Sequence, residues 1–425
     1  MTGEALPTDG KNVRLRRAAT LTKECAARGH DVTWWTSTFD HQGKRQRADN
    51  DKQVTTNDGV RIEMLHSPAY SRNVSIGRLV NHRILGKSLA RRIRNETPPD
   101  VILCAWPTIE FSVVSVDYAA AHDVPVIIDV RDLWPDIFLD VVPRSIRPML
   151  NLAIHPMTRA ARHVFEKCAG ITAISEGYLE WALRYAHRPR NQLDSVFPLG
   201  YDKPTPTQND VANARRELSA AGVDLTKKIC WFVGVFGATY DLATVIKTAR
   251  LLEERGRHDL LFVLSGGGER ESEWRPMAAG LKNVVFTGWV DGAKIACLGE
   301  TASVGLAAYT SSAPQGLPNK LYEYMAFGLP VVSSLRGEAE QFLAEHRCGL
   351  TYQSNDPESL AAALLGVVDD RTVQSECAAN GRRLYETQLS ADKVYPAMVS
   401  YLETVASSRK PNQADRRPNT SAIVA

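Results

Sequence analysis

The feature that most constrains the fold of this chain is the alternation of short β-branched runs with helical stretches. The first set of runs is DVTWWTS, RIEML, VILCA, VPVIIDV, GITAI and DSVFPL, and the second is KICWFVG, LLFVLSG, NVVFTG, SVGLAAY and LPVVSS. Strands separated by helices pair in parallel, with helices covering both faces of the sheet. The sequence therefore predicts an α/β protein built from doubly wound parallel sheets.

These runs are too numerous for one small domain, and 425 residues are enough for two. The polar, proline-bearing segment 200–222 separates the two sets of strands. We therefore predict an N-terminal domain over residues 1–200 and a C-terminal domain over 201–392. A return helix is predicted over 393–406. The tail 407–425 lacks a core pattern and is predicted to be disordered.

The beginning of the chain departs from this plan. A doubly wound domain normally opens with a strand that leads into a glycine-containing turn. Here residues 1–30 supply a turn and a helix with almost nothing before them. The first strand is therefore expected to be missing or very short, either because the start is truncated or because the strand was lost.

Composition excludes several classes of protein. A net charge of only +3 gives no global reason to expect a nucleic-acid partner. Seven cysteines without C-x-x-C spacing favour reduced, buried thiols and a cytoplasmic location. No run reaches 18 apolar residues and no signal peptide is recognisable, so no transmembrane helix is expected. Ten histidines lack metal-ligand spacing, and no metal or other cofactor is expected.

Glycine loops follow two of the C-terminal runs. Gly234 and Gly237 come after KICWFV, and Gly266 to Gly268 come after LLFVLS. Ligands of open α/β sheets bind beyond the carboxyl ends of strands, where glycines let backbone N–H groups approach a phosphate. These loops match neither G-x-G-x-x-G nor a P-loop, so plain tight turns explain them equally well.

A short helix in the C-terminal half has a more specific pattern. In APQGLPNKLYEYMAFGLPVVSS, Pro318 suits the helix start and Gly328 suits its C-terminal cap. Asn319, Lys320 and Glu323 then fall on one arc of the helix while their neighbours are apolar. A solvent-exposed Lys–Glu pair would explain this arc. A helix start that binds an anion beside a carboxylate would also explain it.

The motifs resemble those of a known family. The stretch GLPNKLYEYMAFGLPVV, preceded by SGGG and NVVFTGWV, resembles the donor half of retaining family-4 glycosyltransferases with the GT-B fold. The blocks IDVRDLWPDIF, ITAISEGY and VFPLGYD occur in the family's order, so the resemblance covers nearly the whole chain. It is greatest to the bacterial branch that extends O-antigen and capsule saccharides. The resemblance implies two Rossmann-like domains that face a cleft.

The resemblance also implies how a nucleotide-sugar donor is bound. Glu323 matches the second acid of the family's E-x7-E motif and would hold the ribose hydroxyls, whereas the first acid falls at Gln315, an amide. Gly237 matches the glycine that faces the diphosphate. The family's following Arg and Lys have no counterpart, so Lys320 or a base of the N-terminal domain would offset the phosphate charge. The implied donor-binding residues are Gly237, Gly266, Gly267, Val290, Gln315, Leu317, Asn319, Lys320 and Glu323.

On the acceptor side, Asp132 matches the aspartate of the family's H-D pair and Arg131 replaces the histidine. Arg131, Asp132 and Lys320 are the implied catalytic residues, and Gly10 and Arg14 lie in the implied acceptor-side loop. No metal is needed in this family, because helix dipoles and basic residues stabilise the leaving diphosphate. UDP is the expected donor nucleotide and GDP the alternative, and the acceptor is a saccharide or a lipid-linked saccharide.

Residues 76–95 carry six basic residues and no acidic one, and the bases are Arg78, Arg83, Lys87, Arg91, Arg92 and Arg94. Apolar residues recur at helical spacing on another face, namely Ile76, Val80, Ile84, Leu89 and Ile93. Such a helix could lie on the inner face of an anionic membrane or simply pack its apolar stripe on the sheet. The sequence therefore predicts a hexosyltransferase of polysaccharide or lipopolysaccharide synthesis that is cytoplasmic or peripheral to the membrane. The alternatives are a nucleotide-sugar epimerase of similar fold and a non-catalytic binding paralogue, which Gln315 suggests.

Overall fold

The structure is a computed structural model that describes residues 3–10, 15–41, 43–71, 75–140, 142–143, 145–408 and 421–424. The strands are β1 Asp31–Ser37, β2 Phe39–Asp40, β3 Arg45–Gln46, β4 Lys52–Thr55, β5 Arg61–Leu65, β6 Val101–Trp106, β7 Val126–Val130, β8 Gly170–Ala173, β9 Ser195–Val196, β10 Lys228–Val233, β11 Leu260–Ser265, β12 Val284–Gly288, β13 Val304–Ala307, β14 Val331–Ser333, β15 Gly349–Thr351 and β16 Ser421–Val424.

The α-helices are α1 Arg17–Ala27, α2 Ile76–Arg92, α3 Ile109–His122, α4 Ile137–Asp140, α5 Arg147–Lys167, α6 Glu176–Ala186, α7 Gln208–Ala220, α8 Leu242–Glu254, α9 Glu271–Met277, α10 Gly292–Thr301, α11 Asn319–Ala326, α12 Glu338–Glu345, α13 Pro357–Val368, α14 Arg371–Leu384 and α15 Ala391–Ser407. A 3₁₀ turn, Ile93–Asn95, follows α2, and a π-helical turn, Tyr385–Leu389, follows α14. Within the described ranges, no helix combines the length and the apolar character needed to cross a bilayer.

The chain divides into two units, the first formed by Met1–Leu199 with Val394–Ala425 and the second by Gly200–Lys393. The first contains an eight-stranded sheet in the order β4-β5-β1-β16-β6-β7-β8-β9, in which only the β4–β5 pair is antiparallel. The second contains a six-stranded, fully parallel sheet in the order β12-β11-β10-β13-β14-β15. The α/β fold class predicted from the alternating runs is confirmed.

Burial explains why the strands read as continuous apolar runs. Every residue of β6, β7 and β11 is buried, as expected when helices cover both faces of a parallel sheet. The core of the first unit is rich in aromatic side chains, and Phe165 packs against Trp106 and Trp181 with ring centroids 4.9 and 5.7 Å apart. In the second unit Phe236 packs against Trp274 in the same way.

Separate predictions concerned the beginning and the end of the chain. Among the described residues before α1, no strand is formed, and the missing or short first strand stays a prediction. The tail 407–425 was expected to be disordered. Residues 409–420 lie outside the described residues, whereas Ser421–Val424 form β16, which pairs in parallel with β1 and with β6. The pairing gives the facing backbone groups of β1 and β6 hydrogen-bond partners inside the sheet, which a pattern of apolar residues cannot indicate for so short a segment.

A substitution within β16 tests this inner position. Ile423 pairs with Thr33 on one side and Ile102 on the other. Ile423→Pro removes an N–H from the centre of the sheet, so we expect the free energy of unfolding to fall by roughly 1–3 kcal/mol. Amide hydrogen exchange in Val32–Trp34 and Val101–Leu103 should also accelerate. The control Ile423→Ala keeps the N–H, and equal exchange in the two variants would contradict the pairing.

Candidate functional site

The predicted donor-binding residues all lie on one edge of the second sheet. They belong to four segments, 234–241, 266–270, 289–290 and 308–318, which follow β10, β11, β12 and β13, and to helix α11. Because these strands are parallel, their carboxyl ends meet at the same edge. We call these segments, together with α11, the loop edge. The sheet topology thus brings together residues from Gly237 to Glu323 that are far apart in sequence.

The first two glycine loops touch each other through their backbones. The N–H of Gly234 donates to the Ser265 carbonyl at 2.9 Å, and the N–H of Phe236 donates to the Gly267 carbonyl at 2.8 Å. Gly266 and Gly268 adopt φ values of +137° and +155°. A Cβ on Gly266 would overlap the Gly234 carbonyl oxygen, and one on Gly268 would lie 2.7 Å from the Phe236 oxygen. The close packing of the two loops therefore explains why both positions are glycine, and no ligand is needed to explain them.

Gly237 and Gly267 have different surroundings. No atom of the described residues would lie within 4 Å of a Cβ on Gly237, so on that part of the chain the space above this glycine is open. A Cβ on Gly267 would lie 3.1 Å from Nε1 of Trp289, the residue before Val290. The Trp289 side chain is exposed although it is large and aromatic. Open space and an exposed aromatic ring beside the glycine loops leave room for a planar or phosphorylated ligand at the loop edge.

Lys320 is buried at the base of the first glycine loop. Its ammonium group donates a hydrogen bond to the Val233 carbonyl at the end of β10 and lies 4.0 Å from the ring centroid of Phe232 and 5.0 Å from that of Tyr240. Burial lowers the pKa of Lys320 to about 8, and the charge of Glu323 only partly opposes this effect. The alternative of a solvent-exposed Lys–Glu pair is excluded, because 5% of Lys320 is exposed.

Glu323 is held by a residue that the sequence did not indicate. Tyr201, itself buried, donates its O–H to Oε1 of Glu323 at 3.1 Å. The backbone of Tyr201 is fixed in turn, because its N–H donates to Leu389 and its carbonyl accepts from Ala391. Tyr201 therefore sets the direction of the Glu323 carboxylate, and Oε2 makes no hydrogen bond to another described residue.

The remaining predicted residues of the loop edge are partly exposed. The side chain of Gln315 has an Oε1 atom that is buried and has no hydrogen-bond partner among the described residues. Such an atom costs free energy unless a ligand or water pairs with it. Leu317 is half-buried and Asn319, the first residue of α11, is exposed. Pro318 lies just before α11 and not within its first turn, while Gly328 has φ +67° and donates to the Met325 carbonyl after the helix end, as expected for a C-terminal cap.

In the first unit, Arg131 belongs to a buried ionic network. Asp129 at the end of β7 accepts from Arg17 at 2.9 Å and from Nε of Arg131 at 2.6 Å, and it also accepts from Thr172. Nη1 of Arg131 donates to Glu4 at 2.6 Å, while its buried Nη2 has no partner among the described residues. Burial alone would raise the pKa of Asp129, but the two guanidinium groups outweigh it and hold the pKa well below its usual range.

Asp132 lies apart from this network, near a buried cation. Burial raises the pKa of Asp132, although its carboxylate accepts the N–H of Leu133 at 2.9 Å. The charge of Arg78 acts on Asp132, and the Arg78 guanidinium stacks over the Trp134 ring at 4.4 Å. Burial, followed by the charge of Arg78, lowers the pKa of the nearby His82 to about 3, so this histidine is neutral. The surroundings of Asp132 are therefore cationic and aromatic.

The predicted acceptor-side loop does not join these residues. Gly10 is exposed and lines a cavity of about 240 Å³ with Pro7, Leu15, Trp34 and other residues. Of the predicted site residues that the structure describes, Gly10 alone lines this cavity. Arg14 lies outside the described residues. Arg17, three residues further on, is buried and paired with Asp129.

The contacts of Tyr201, Arg78 and Arg17 were missed by sequence reasoning. Each makes a contact across a large sequence separation, such as the 122 residues between Tyr201 and Glu323 or the 112 residues between Arg17 and Asp129. The signals available were a charged residue inside an apolar strand, Asp129 in VPVIIDV, and a tyrosine in the VFPLGYD block. Neither signal indicates which distant residue the side chain contacts.

Comparison with known proteins identifies the class. Residues 15–200 match a family described as glycosyl transferase 4-like domain, and residues 227–370 match one described as glycosyl transferases group 1. Together the matches span more than three quarters of the chain. Each half of the chain therefore matches one glycosyltransferase domain family.

Individual relatives agree with this class. The chain is 27% identical over 218 residues to O-antigen chain mannosyltransferase C of Escherichia coli, covering 50% of this chain and 55% of that protein. It is 27% identical over 180 residues to lipopolysaccharide core biosynthesis glycosyltransferase LpsE of Rhizobium meliloti, covering 39% and 51%. The chain thus spans about half the length of the curated relatives it matches.

A solved structure shows the same fold. The crystal structure of Anabaena HepE in complex with UDP superposes with a TM-score of 0.59 at 15% sequence identity, covering 81% of this chain and 86% of that one. At this identity the similarity concerns the fold alone. The predicted GT-B architecture, with two Rossmann-like domains, is confirmed.

The contact between Tyr201 and Glu323 generates a prediction. Tyr201→Phe removes one O–H donor and keeps the aromatic ring, so the protein should fold with little loss of stability. A carboxylate that loses a hydrogen bond of this kind is held less firmly, and we expect binding of UDP to weaken by roughly 1 kcal/mol, about fivefold. Calorimetric titration with UDP measures this change. Tyr401→Phe, which removes a hydroxyl bonded to Leu193 in the first unit, is the matched control.

Unchanged UDP affinity in folded Tyr201→Phe would show that Tyr201 only packs beside Glu323. Equal weakening in Tyr401→Phe would show that the effect comes from stability and not from the loop edge.

Proposed function

We propose that this protein transfers a sugar from a nucleotide-sugar donor to a saccharide or polyprenyl-linked acceptor in the synthesis of surface polysaccharide or lipopolysaccharide. The two glycosyltransferase domains and the names of the relatives support this proposal. UDP is the preferred donor nucleotide because the structurally similar HepE was crystallised with UDP, and GDP is the alternative. Transfer with retention of the anomeric configuration rests on the resemblance of the sequence motifs.

One observation carries the proposal: a buried ammonium group lies at the first glycine loop, and a carboxylate lies one turn along the same helix. Lys320 is surrounded by aromatic rings and a carbonyl oxygen, so a diphosphate beside Gly237 would find a cation there. The positive end of α11 adds to the attraction. Glu323, oriented by Tyr201, would accept hydrogen bonds from the ribose hydroxyls.

The chemistry follows from these positions. When the sugar leaves the diphosphate, negative charge grows on the phosphate oxygens, and Lys320 stabilises that charge in a site with little water. Gln315 offers an unpaired oxygen to a donor hydroxyl, in place of the carboxylate that the family motif has. Asp132, whose pKa is raised by burial, and the free Nη2 of Arg131 are the residues that we assign to the acceptor side. The reaction would proceed in the cytoplasm without a metal ion.

Two rival functions make different predictions. A nucleotide-sugar epimerase would turn over its donor without any acceptor, and the domain matches do not favour it. A non-catalytic paralogue would bind the nucleotide without releasing sugar. Incubation with radiolabelled UDP-sugars and GDP-sugars, with and without a lipid extract as acceptor, separates the three cases. Transfer of label to the extract supports the proposal, whereas acceptor-independent conversion or binding without turnover contradicts it.

The role of Glu323 has a direct test. Glu323→Ala removes a charged hydrogen-bond acceptor, so we expect the donor to bind more weakly by roughly 1.5–3 kcal/mol. Calorimetric titration with UDP measures the loss. Glu345→Ala is the matched control, since Glu345 is an exposed acid on α12 of the same unit. A folded Glu323→Ala protein with the affinity of the control would disprove the ribose assignment.

The lowered pKa of Lys320 predicts how nucleotide binding changes with pH. Below pH 8 the free protein carries the ammonium form, which attracts the diphosphate, and above pH 8 this form declines about tenfold per pH unit. UDP affinity should therefore be constant from pH 6.5 to 7.5 and fall several-fold by pH 9. Lys320→Met should bind UDP weakly, and its UDP affinity should not fall between pH 7.5 and pH 9. Any change of affinity that this variant does show reports titration of the nucleotide itself.

In the Lys320→Met variant, kcat should also fall roughly a hundredfold or more, because stabilisation of the leaving group acts mainly in the transition state. Lys247→Met, which removes an exposed lysine from α8, is the control. Near-normal kcat in Lys320→Met would mean that the lysine serves only the packing of α11.

A further inference from the structure

Large apolar side chains are exposed at one place on the first unit. Eight large hydrophobic residues are exposed among the residues that the structure describes, and six of them lie at the beginning of α2 and around the beginning of α5. They are Ile76, Leu79, Val80, Ile146, Met149 and Leu152. Ile76, Met149 and Leu152 are 80%, 72% and 78% exposed, respectively. Monomeric proteins rarely leave such residues clustered unless the surface contacts a partner or a membrane.

A groove begins at this cluster and runs between α2, α3 and α5. Its volume is about 700 Å³, and its walls are mainly apolar, with Val113 and Val114 from α3 and Ala153 and Met157 from α5. The Trp134 ring, under the Arg78 guanidinium, forms part of the lining. Ile76, Leu79 and Val80 of the exposed cluster line the groove, as does Ala153, the residue after Leu152. The exposed cluster therefore borders the apolar groove, and the buried cation Arg78 lies beside it.

The charges around the groove are mainly positive. Helix α2 contains five basic and no acidic residues, and α5 contains four basic residues and a single acid, Glu166. Arg83 and Lys87 are exposed and line the groove directly. The acid in the lining is Glu110 of α3, and burial raises the pKa of its carboxyl. Arg83 and Lys87 therefore place positive charge at the edge of the apolar groove.

We propose that this apolar and basic surface, formed by residues 76–87 of α2 and 146–157 around the start of α5, docks on a bilayer that contains anionic phospholipid. The exposed apolar side chains enter the interfacial region, and Arg83 and Lys87 contact the headgroups. The basic rim complements an anionic lipid surface. A second copy of this chain is a poorer occupant, because a symmetric contact would place the same basic residues against each other.

This surface differs from the one that the sequence suggested. The expected stripe along 76–95 included Leu89 and Ile93, but both are buried against the first unit. Arg92, counted as a membrane-facing base, pairs with Asp51 and with the buried carboxylate of Glu63. The second half of α2 is therefore a packed surface helix, and the docking surface consists of its first half together with α5.

The test uses vesicle flotation with the full-length protein. Vesicles of phosphatidylcholine alone are compared with vesicles that contain about 30% phosphatidylglycerol. Both are assayed at about 0.1 M salt. Three double variants are prepared. Arg83→Glu with Lys87→Glu alters the charge, Met149→Ser with Leu152→Ser alters the apolar cluster, and Arg215→Glu with Lys247→Glu makes the same charge change at exposed positions of the second unit.

We expect the wild-type protein to bind the anionic vesicles, to bind neutral vesicles at least about tenfold less, and to dissociate as salt is raised. Both docking-surface variants should bind the anionic vesicles at least about tenfold less than wild type, while the control variant binds like wild type. Far-ultraviolet circular dichroism and melting temperatures check that all three variants are folded. UDP binding to the variants should be unchanged, which separates this proposal from the proposed catalytic function.

Three results would overturn the proposal. The first is equal binding of the wild-type protein to neutral and anionic vesicles. The second is equal loss of binding in the control variant, which would indicate non-specific attraction of a basic protein. The third is a wild-type dimer in analytical ultracentrifugation that both docking-surface variants dissociate, because the surface would then be covered by a second copy.

Discussion

In a parallel sheet every strand reaches the same edge at its carboxyl end, and the helix that follows it returns over a face of the sheet. The loops between strand and helix therefore collect at one edge, whatever their sequences. In the second unit this constraint alone gathers the loops after β10, β11, β12 and β13 beside the start of α11. Lys320, the glycine loops and Glu323 are neighbours because of strand direction, and the details of their chemistry depend on it.

The same constraint explains which parts of the molecule could be predicted from the sequence. Strands and helices follow from local periodicity, and their alternation gives the parallel sheets and so the edge where a ligand binds. Contacts between distant residues do not follow. Nothing near Glu323 in the sequence indicates that Tyr201 holds its carboxylate, and nothing near Arg131 indicates that Glu4, 127 residues away, binds its guanidinium group. The strand Ser421–Val424 was missed because four residues carry too little pattern.

Glycines show the limit of motif reasoning most clearly. A glycine after a strand is required either where a ligand approaches the backbone or where another segment of the protein does. Gly266 and Gly268 are required because another segment of the protein approaches them: a Cβ at either position would collide with the loop after β10. At Gly237 no atom of the residues that the structure describes would contact a Cβ, so approach of a ligand can still explain this glycine. The spacing of the glycines in sequence could not separate the two cases.

The two buried cations that the sequence singled out differ in how their charge is balanced. Arg131 lies between two carboxylates, Asp129 and Glu4, so its network is close to neutral and has little capacity to attract an anion. Lys320 is stabilised by a carbonyl oxygen and aromatic faces, and burial has lowered its pKa, which means that its charged form lacks full compensation. A buried cation in that condition gains free energy when an anion arrives. The charge balance therefore favours Lys320 over Arg131 as the group that contacts the phosphates. The role left to Arg131 is to orient the Asp129 carboxylate and the side chains around it.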